Sequence, residues 1–239
     1  LLLIFIFLFL INLNIDNTTI FFIDKFITNN VFNIIFTAIC IVVFLNGSNF
    51  IDGVNANLIG YNIIVLFFLN NYNNDYNLYF LLITFSTFYI FNIFGKCFLG
   101  DNGVYIISIL ISYLAIDIIN SNELNPLIAL NLLWYPAFEN LFSIIRRQIY
   151  KTKIDKADKK HLHTLLFLWI RKFKFNLIIS NSLTGIVLNI FNFFSLYLSM
   201  QFINNNQMLI SILILNVTVY LILYFKLLSI LPIELDSKK

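Results

Sequence analysis

The sequence predicts an all-α integral membrane protein, a polytopic bundle of about eight transmembrane helices. Hydrophobic residues make up 60% of the 239 residues and charged residues only 11%, whereas about a quarter of a soluble domain is charged. The apolar residues form continuous runs, close to the roughly 20 helical residues that cross a hydrocarbon core. Strands of a membrane barrel would alternate apolar and polar residues instead. These observations exclude a soluble domain.

Eight apolar runs account for the predicted spans, and the shorter ones suit tilted or half-spanning helices. They are residues 1–13, 31–46, 56–70, 77–94, 103–119, 126–145, 176–202 and 207–231. The first run lacks the basic n-region and the cleavage site of a signal peptide. We therefore expect it to be the end of a helix that starts upstream. Residues 1–239 are predicted to form one domain, with a long basic loop at 146–175.

The placement of Lys and Arg predicts which loops are cytoplasmic, because positively charged short loops stay on that side. One set of alternating loops, together with the C-terminus, carries 14 of the 15 basic residues, and the other set carries only Lys25. The first set contains the loops at 47–55, 95–102 and 146–175. We expect the polar residues of these three loops to share the cytoplasmic face.

Two polar, glycine-containing segments in these loops each carry a carboxylate. Asp52 is the next-to-last residue of the segment NGSNFIDG at 46–53, and Asp101 lies in FLGDNG at 98–103. Each has an ordinary structural explanation, since Asp-Gly is a common turn pair and Asp101 would serve as the N-cap of the fifth span. Two such carboxylates on one face nevertheless favour a binding site.

Glu139 is the acid most costly to place, because it lies inside the sixth predicted run, seven residues before Arg146. At 1.5 Å per residue it would be about 10 Å inside the helix end. An ionisable group at that depth is a functional candidate. A structural ion pair or a protonated, hydrogen-bonded carboxyl group explains it equally well.

The basic loop at 146–175 contains both histidines, His161 and His163, soon after Asp158. Alone, a basic segment with aromatic residues would indicate attraction to anionic lipid. Together with carboxylates on the same face, it suits a phosphate-rich anionic substrate. Such a site also suits Mg²⁺, which takes one or two carboxylates and binds substrate phosphates.

These segments resemble the motifs of the polyprenyl-phosphate N-acetylhexosamine-1-phosphate transferases, glycosyltransferase family 4. NGSNFIDGVNA resembles the family's Asn-rich segment ending in Asp-Gly-x-Asp/Asn-Gly, and KCFLGDNG resembles its Phe-x-Gly-Asp-x-Gly loop. PAFENLFSIIRR followed by DKKHLH resembles its Pro-x-x-Asp helix, Arg-Arg pair and His-x-His loop. All four motifs occur in the family's order.

The resemblance implies transfer of an N-acetylhexosamine 1-phosphate from a UDP-sugar to polyprenyl (undecaprenyl) phosphate, with release of UMP. UDP-N-acetylglucosamine is the favoured donor, and the reaction would be the first membrane step of cell-envelope polysaccharide synthesis. The resemblance further implies a bacterial plasma membrane protein with a cytoplasmic active site, in contact with membrane lipids and not with nucleic acid. It also allows a homodimer. The implied cofactor is Mg²⁺, with Mn²⁺ as the alternative.

Individual residues receive roles from the same resemblance. Asp101 would ligate the metal, Phe98 would stack on uracil, and Asn49 and Asp52 would shape the nucleotide-sugar pocket. The catalytic residues implied are Asp52, Asp101, His161 and His163. The substrate-binding residues implied are Asn49, Asn55, Asn92, Phe98, Glu139 and Arg147, of which Arg147 would contact the diphosphate or the sugar together with the histidines.

Three departures from the family pattern accompany the resemblance. Asn55 stands where some branches have Asp, and Glu139 replaces the usual Asp. The family's Asp-Asp motif has no counterpart, so we expect the chain to lack the N-terminal part of the family's domain. Two alternatives stay open, a non-catalytic remnant and a small-solute transporter. The transporter is disfavoured because mid-span positions are nearly all apolar and no internal repeat is seen.

Overall fold

The computed structural model describes residue 10 and residues 13–72, 76–122, 124–150 and 160–231. Within these residues the protein has ten helices and no strand, so the all-α prediction is confirmed. The helices are α1 (Phe21–Ile27), α2 (Asn30–Ile51), α3 (Asn57–Asn70), α4 (Tyr76–Ile93), α5 (Gly100–Ser121), α6 (Leu127–Leu132), α7 (Trp134–Ile149), α8 (Leu162–Arg171), α9 (Leu177–Gln201) and α10 (Asn206–Ile230).

Five of these helices, α2, α4, α5, α9 and α10, are long and apolar enough to cross a membrane. The protein is therefore an all-α membrane protein. Three of the eight predicted spans differ from this picture. The run at 56–70 forms the 14-residue α3, about 21 Å long at 1.5 Å per residue. The run at 126–145 is divided between α6 and α7, and most of the run at 1–13 lies outside the described residues.

α3 tolerates its short length because protein, not lipid, surrounds it. Eleven of its 14 residues are buried, and it packs on α4, α5 and α9. By contrast, only Leu78, Phe85 and Asn92 are buried along α4. Large apolar side chains such as Phe80 and Ile83 of α4 are exposed, as expected for a helix that faces lipid.

The division of the sixth run into α6 and α7 follows from Pro136. Proline has no N–H to donate to the carbonyl group four residues earlier, and its ring clashes with that carbonyl. The carbonyl in question belongs to Leu132, and it accepts a hydrogen bond from the Tyr61 hydroxyl at 2.6 Å. Tyr61 is fully buried. Its hydroxyl group therefore replaces the missing backbone donor inside the protein, and the Leu132 carbonyl needs no water to satisfy it.

α2 continues to Ile51, five residues beyond the predicted end of its apolar run. The predicted loop at 47–55 is therefore too long, since only residues 52–56 form a turn. Asn, Gly and Ser are weak helix formers, but packing against α7 outweighs this weakness. A Cβ atom at Gly47 would overlap the carbonyl group of Pro136. Gly47 thus lets the backbones of α2 and α7 touch.

Candidate functional site

Three segments far apart in sequence meet at one end of the bundle. They are the turn at 52–56 after α2, the connection at 94–99 between α4 and α5, and residues 160–163 at the start of α8. Both acidic segments and both histidines of the sequence analysis lie here. The structure therefore brings together the residues that the sequence predicted would share a face.

Asn92 joins the first two segments. The Ala56 N–H donates to Asn92 Oδ1 at 2.6 Å, and Asn92 Nδ2 donates to the Cys97 carbonyl at 2.8 Å. Ala56 has a left-handed backbone with φ of 68°, a conformation that a non-glycine residue keeps only when its surroundings hold it. Asn92 is thus a structural link in this arrangement, and its predicted contact with substrate stays a prediction.

α9 supports the same turn from the other side. The Asn55 N–H donates to Asn181 Oδ1 at 2.5 Å, and Asn189 Nδ2 donates to the Ala56 carbonyl at 2.7 Å. A Cβ atom at Gly185 would overlap the Asn55 carbonyl oxygen. Asn55 is itself buried, so α9 holds the position of the turn that carries it.

The charge of Asp101 acts on Asp52. Asp52 caps the C-terminal end of α2 and is half-buried. Burial and then the negative charge of Asp101 raise the pKa of Asp52 from 3.8 to about 7. Asp101 is exposed in the first turn of α5, whose N-cap is Leu99, so the N-cap explanation of Asp101 is wrong. A carboxylate in a first turn is favoured by the helix dipole.

Two carboxylates near enough to repel each other would attract a divalent cation, because the cation would relieve their repulsion. Among the described residues there is no group of three or more His, Cys, Asp or Glu that could hold a metal ion. Mg²⁺ needs only one or two carboxylates when water and substrate phosphates complete its shell. Asp52 and Asp101 would be the residues of this site to supply them, and the predicted Mg²⁺ stays a prediction.

Both histidines are buried in helix α8 or at its N-cap, not in a surface loop. His161 is the N-cap and His163 lies in the first turn. Their rings are parallel, with centroids 5.5 Å apart. The Phe50 ring lies 5.1 Å from His161, and a Cβ atom at Gly53 would overlap the His163 ring. The acidic segment after α2 and the His-x-His segment are thus in direct contact.

The predicted loop at 146–175 is largely helical where the structure describes it. α7 extends to Ile149 and α8 begins at Leu162, while Asp158 and four of the loop's lysines lie within 151–159, outside the described residues. Burial lowers the pKa of His163 to about 4, an effect that the nearby Glu139 only partly offsets. His163 is therefore neutral at pH 7.

Glu139 is fully buried, and both of its carboxylate oxygens have partners. His161 Nδ1 lies 2.8 Å from Oε1, and the Tyr220 hydroxyl donates to Oε2 at 2.6 Å. In this arrangement Glu139 reaches the site through His161, and its predicted direct contact with substrate stays a prediction. Arg146 donates to the Lys160 carbonyl, to the Tyr224 hydroxyl at 3.0 Å and to Ser143 Oγ at 3.3 Å.

The remaining predicted residues lie around this centre. The Arg147 guanidinium lies over the Phe50 ring, 5.8 Å from its centroid. Asn49 is half-buried in the last turn of α2. Phe98 is 70% exposed, which leaves its ring available for stacking. Their roles toward a nucleotide sugar stay predictions.

Several residues of the site were not predicted from the sequence. Asn181, Gly185 and Asn189 of α9 hold the turn, and Tyr220 of α10 binds Glu139. The asparagines carried a usable signal, because polar side chains inside an apolar run are costly and mark contacts with protein or substrate. Tyr220 carried none, since a tyrosine is common in apolar runs.

The sequence model of glycosyl transferase family 4 matches residues 1–119. Residues 1–119 of the chain belong to this family. Both acidic segments lie within the match, while Glu139 and the histidines lie beyond it, and the contacts of Phe50 and Gly53 connect the two parts. The activity of glycosyl transferase family 4 is, in general, transfer of a sugar phosphate to a polyprenyl phosphate. No curated protein and no solved structure matches the chain.

Proposed function

We propose that this member of glycosyl transferase family 4 transfers an N-acetylhexosamine 1-phosphate from a UDP-sugar to polyprenyl phosphate, with release of UMP. UDP-N-acetylglucosamine is the favoured donor. The observation that carries the proposal is the contact between the turn bearing Asp52, which is coupled to Asp101, and the buried pair His161 and His163. Carboxylates and imidazoles side by side at the end of a membrane bundle suit a diphosphate ligand.

In the proposed reaction an oxygen of polyprenyl phosphate attacks the phosphorus that bears the sugar. The bond from that phosphorus to the oxygen bridging it to UMP breaks, and UMP leaves with that oxygen. Asp52 and Asp101 would hold Mg²⁺, with Mn²⁺ as the alternative, and the bound ion would neutralise charge developing on the transferred phosphoryl group. Phe98 would stack on the uracil ring.

The remaining residues would position the two substrates. His161 and His163 would contact the diphosphate or the sugar, and Arg147, 5.8 Å from the Phe50 ring centroid, would add positive charge beside them. Asn49 and Asn55 would shape the sugar pocket from the end of α2. Phosphoryl transfer depends mainly on positioning and charge neutralisation, so such a role needs no covalent chemistry from the protein.

The proposed location is the bacterial plasma membrane, with the site on the cytoplasmic face. Its support is the charge distribution, since 14 of 15 Lys and Arg residues fall in the set of loops that carries the site or at the C-terminal end of the chain. The long apolar helices would contact membrane lipids. Synthesis of a cell-envelope polysaccharide and a homodimer stay predictions, and no nucleic acid partner is proposed.

The test uses the purified chain in lipid nanodiscs with undecaprenyl phosphate, Mg²⁺ and radiolabelled UDP-N-acetylglucosamine. We expect UMP release and a labelled lipid product. Asp101→Asn should lower turnover by about 10²-fold or more, because it removes charge stabilisation at the phosphoryl group. Asp117→Asn, near the opposite end of α5, is the matched control and should keep full turnover.

The outcomes separate the alternatives. Full turnover by Asp101→Asn would contradict the metal assignment. Binding of the UDP-sugar without UMP release would contradict the transferase and favour a non-catalytic protein. Solute uptake by the same protein in sealed proteoliposomes, without UMP release, would favour a transporter.

A further inference from the structure

The carboxylate of Glu139 is the most enclosed charged group of the site. It has no exposed surface, and a buried carboxylate is costly unless hydrogen bonds satisfy it. His161 Nδ1 lies 2.8 Å from Oε1, and the Tyr220 hydroxyl lies 2.6 Å from Oε2. Each oxygen thus has its own short hydrogen bond, one from the site and one from α10.

This arrangement determines the tautomer of His161. An ionised carboxylate only accepts hydrogen bonds, so Nδ1 must carry a proton to bond Oε1. Ser143 Oγ, at 3.4 Å from Nδ1, is a more distant neighbour. In the described part of the chain Nε2 has no hydrogen-bond partner. Nε2 is therefore the nitrogen left for a ligand, as an acceptor when His161 is neutral.

The ring of His161 is also fixed in orientation. It lies between the Phe50 ring, at 5.1 Å, and the His163 ring, at 5.5 Å. The residue before it is held as well, because the Lys160 carbonyl accepts a hydrogen bond from Arg146. The backbone and the side chain at the start of α8 are therefore both attached to α7.

Two tyrosines of α10 complete the support. Tyr220 and Tyr224 are one turn apart with parallel rings, and they bond Glu139 and Arg146, which are two turns apart on α7. Phe142 packs edge-on against both tyrosine rings, with centroid distances of 5.6 and 4.9 Å. α10 thus supports, through its contacts with α7, the residues that bond the start of α8.

We propose that Tyr220 and Glu139 are a positioning pair for His161, which they hold as the Nδ1–H tautomer with Nε2 directed to the phosphate-bearing substrate. The identity of that substrate rests on the proposed function, whereas the tautomer does not. A carboxylate that orients a histidine in this way fixes which nitrogen faces a ligand. In this proposal both residues act on the substrate through His161, in place of the direct contact predicted for Glu139.

The experiment reads the tautomer directly from ¹⁵N chemical shifts of protein labelled at histidine. The chain contains two histidines, and His163→Gln assigns the spectrum. We expect a protonated Nδ1 and, in the neutral form, an unprotonated Nε2. Tyr220→Phe, which keeps the ring and removes the hydroxyl, should reduce the population with protonated Nδ1. Tyr197→Phe on α9 is the control and should leave the spectrum unchanged.

Turnover is the second readout. Tyr220→Phe should lower kcat about 10-fold, the effect of one hydrogen bond to a charged group, with the KM for the UDP-sugar changed less than about twofold. An unprotonated Nδ1 in the wild-type spectrum would overturn the proposal even if the variant failed to fold. An unchanged spectrum in folded Tyr220→Phe would overturn it too. A protonated Nδ1 in a wild-type protein without turnover would support the pair and contradict the proposed function.

Discussion

At the scale of single residues, the titration of Asp52 makes the stability of the fold depend on pH. Its pKa is raised from 3.8 to about 7, first by burial and then by the charge of Asp101. The folded protein therefore binds more protons at Asp52 than the unfolded chain does between about pH 4 and pH 7. On account of this group, the free energy of unfolding decreases as the pH rises through that window.

Asp52→Asn removes this pH-dependent loss. We expect little difference in Tm from the wild type near pH 4 and a Tm advantage for the variant that grows up to about pH 7 and then levels off. Thermal unfolding in detergent with EDTA measures it, and Asp117→Asn is the control. A difference in Tm that does not vary with pH would contradict the raised pKa. Added Mg²⁺ should reduce the advantage if the ion binds the aspartate pair.

Gly53 is the residue whose side chain would most directly disturb the histidines. A Cβ atom there would overlap the His163 ring, and His163 is only 3% exposed, so its ring has little room to move. We expect Gly53→Ala to lower transferase turnover by about 10-fold or more, since small displacements of positioned groups have large effects on rate.

Gly103→Ala is the matched control for this glycine. It lies in the other acidic segment, where a Cβ atom would make ordinary contacts of 3.4 and 3.6 Å with Leu99. Its turnover should stay within about twofold of wild type. Equal losses in the two variants would show that the contact between Gly53 and His163 does not matter for the reaction.

At the scale of elements, the break between α6 and α7 depends on both Pro136 and Tyr61. The proline removes the backbone donor to Leu132, and the Tyr61 hydroxyl replaces it at 2.6 Å. The break lets α7 begin at Trp134, and it therefore sets where Glu139 and Arg146 lie. The run at 126–145, predicted as one span, therefore forms two helices: α6, which packs within the bundle, and α7, which carries the residues that support the histidines.

Tyr61→Phe should lower the free energy of unfolding by about 1–3 kcal/mol, because it leaves the buried Leu132 carbonyl without a donor. In a Pro136→Ala background the cost should be smaller, since the restored N–H competes for the same carbonyl. Denaturant unfolding of the four proteins in a double-mutant cycle measures the difference. Additive effects of the two substitutions would rule out this exchange of donors.

At the scale of the whole molecule, the site lies at the end of the bundle that carries the basic connections. If that end is cytoplasmic, Asn102→Cys in α5 should react with a membrane-impermeant maleimide only in inside-out vesicles. Asn204→Cys, between α9 and α10, should react only in intact cells. Both positions are exposed, and replacement of Cys40 and Cys97 removes the background. The reverse pattern would contradict the predicted orientation.

Much of the fold could be predicted from local sequence patterns. The boundaries that were predicted wrongly depend on contacts between distant residues. Run length and apolar composition located α4, α5, α9 and α10 to within a few residues. The end of α2 was misplaced because Gly47 is stabilised by its contact with Pro136, which is 89 residues away in the chain. The His-x-His segment was predicted to lie in a loop. Its burial could not be predicted, because it depends on contacts of His161 with Phe50 and Glu139, which are distant in sequence.

By itself, the sequence determined the membrane environment, the helical class, the family and the grouping of the acidic segments with the histidines. Those features depend on composition, run length and short motifs, which are properties of neighbouring residues. Only the tertiary structure decided that the charge of Asp101 reaches Asp52, that α9 holds the Asn55 turn, and that Glu139 bonds both Tyr220 and His161. Each of these is a contact between distant residues, and its geometry is set by how the helices pack.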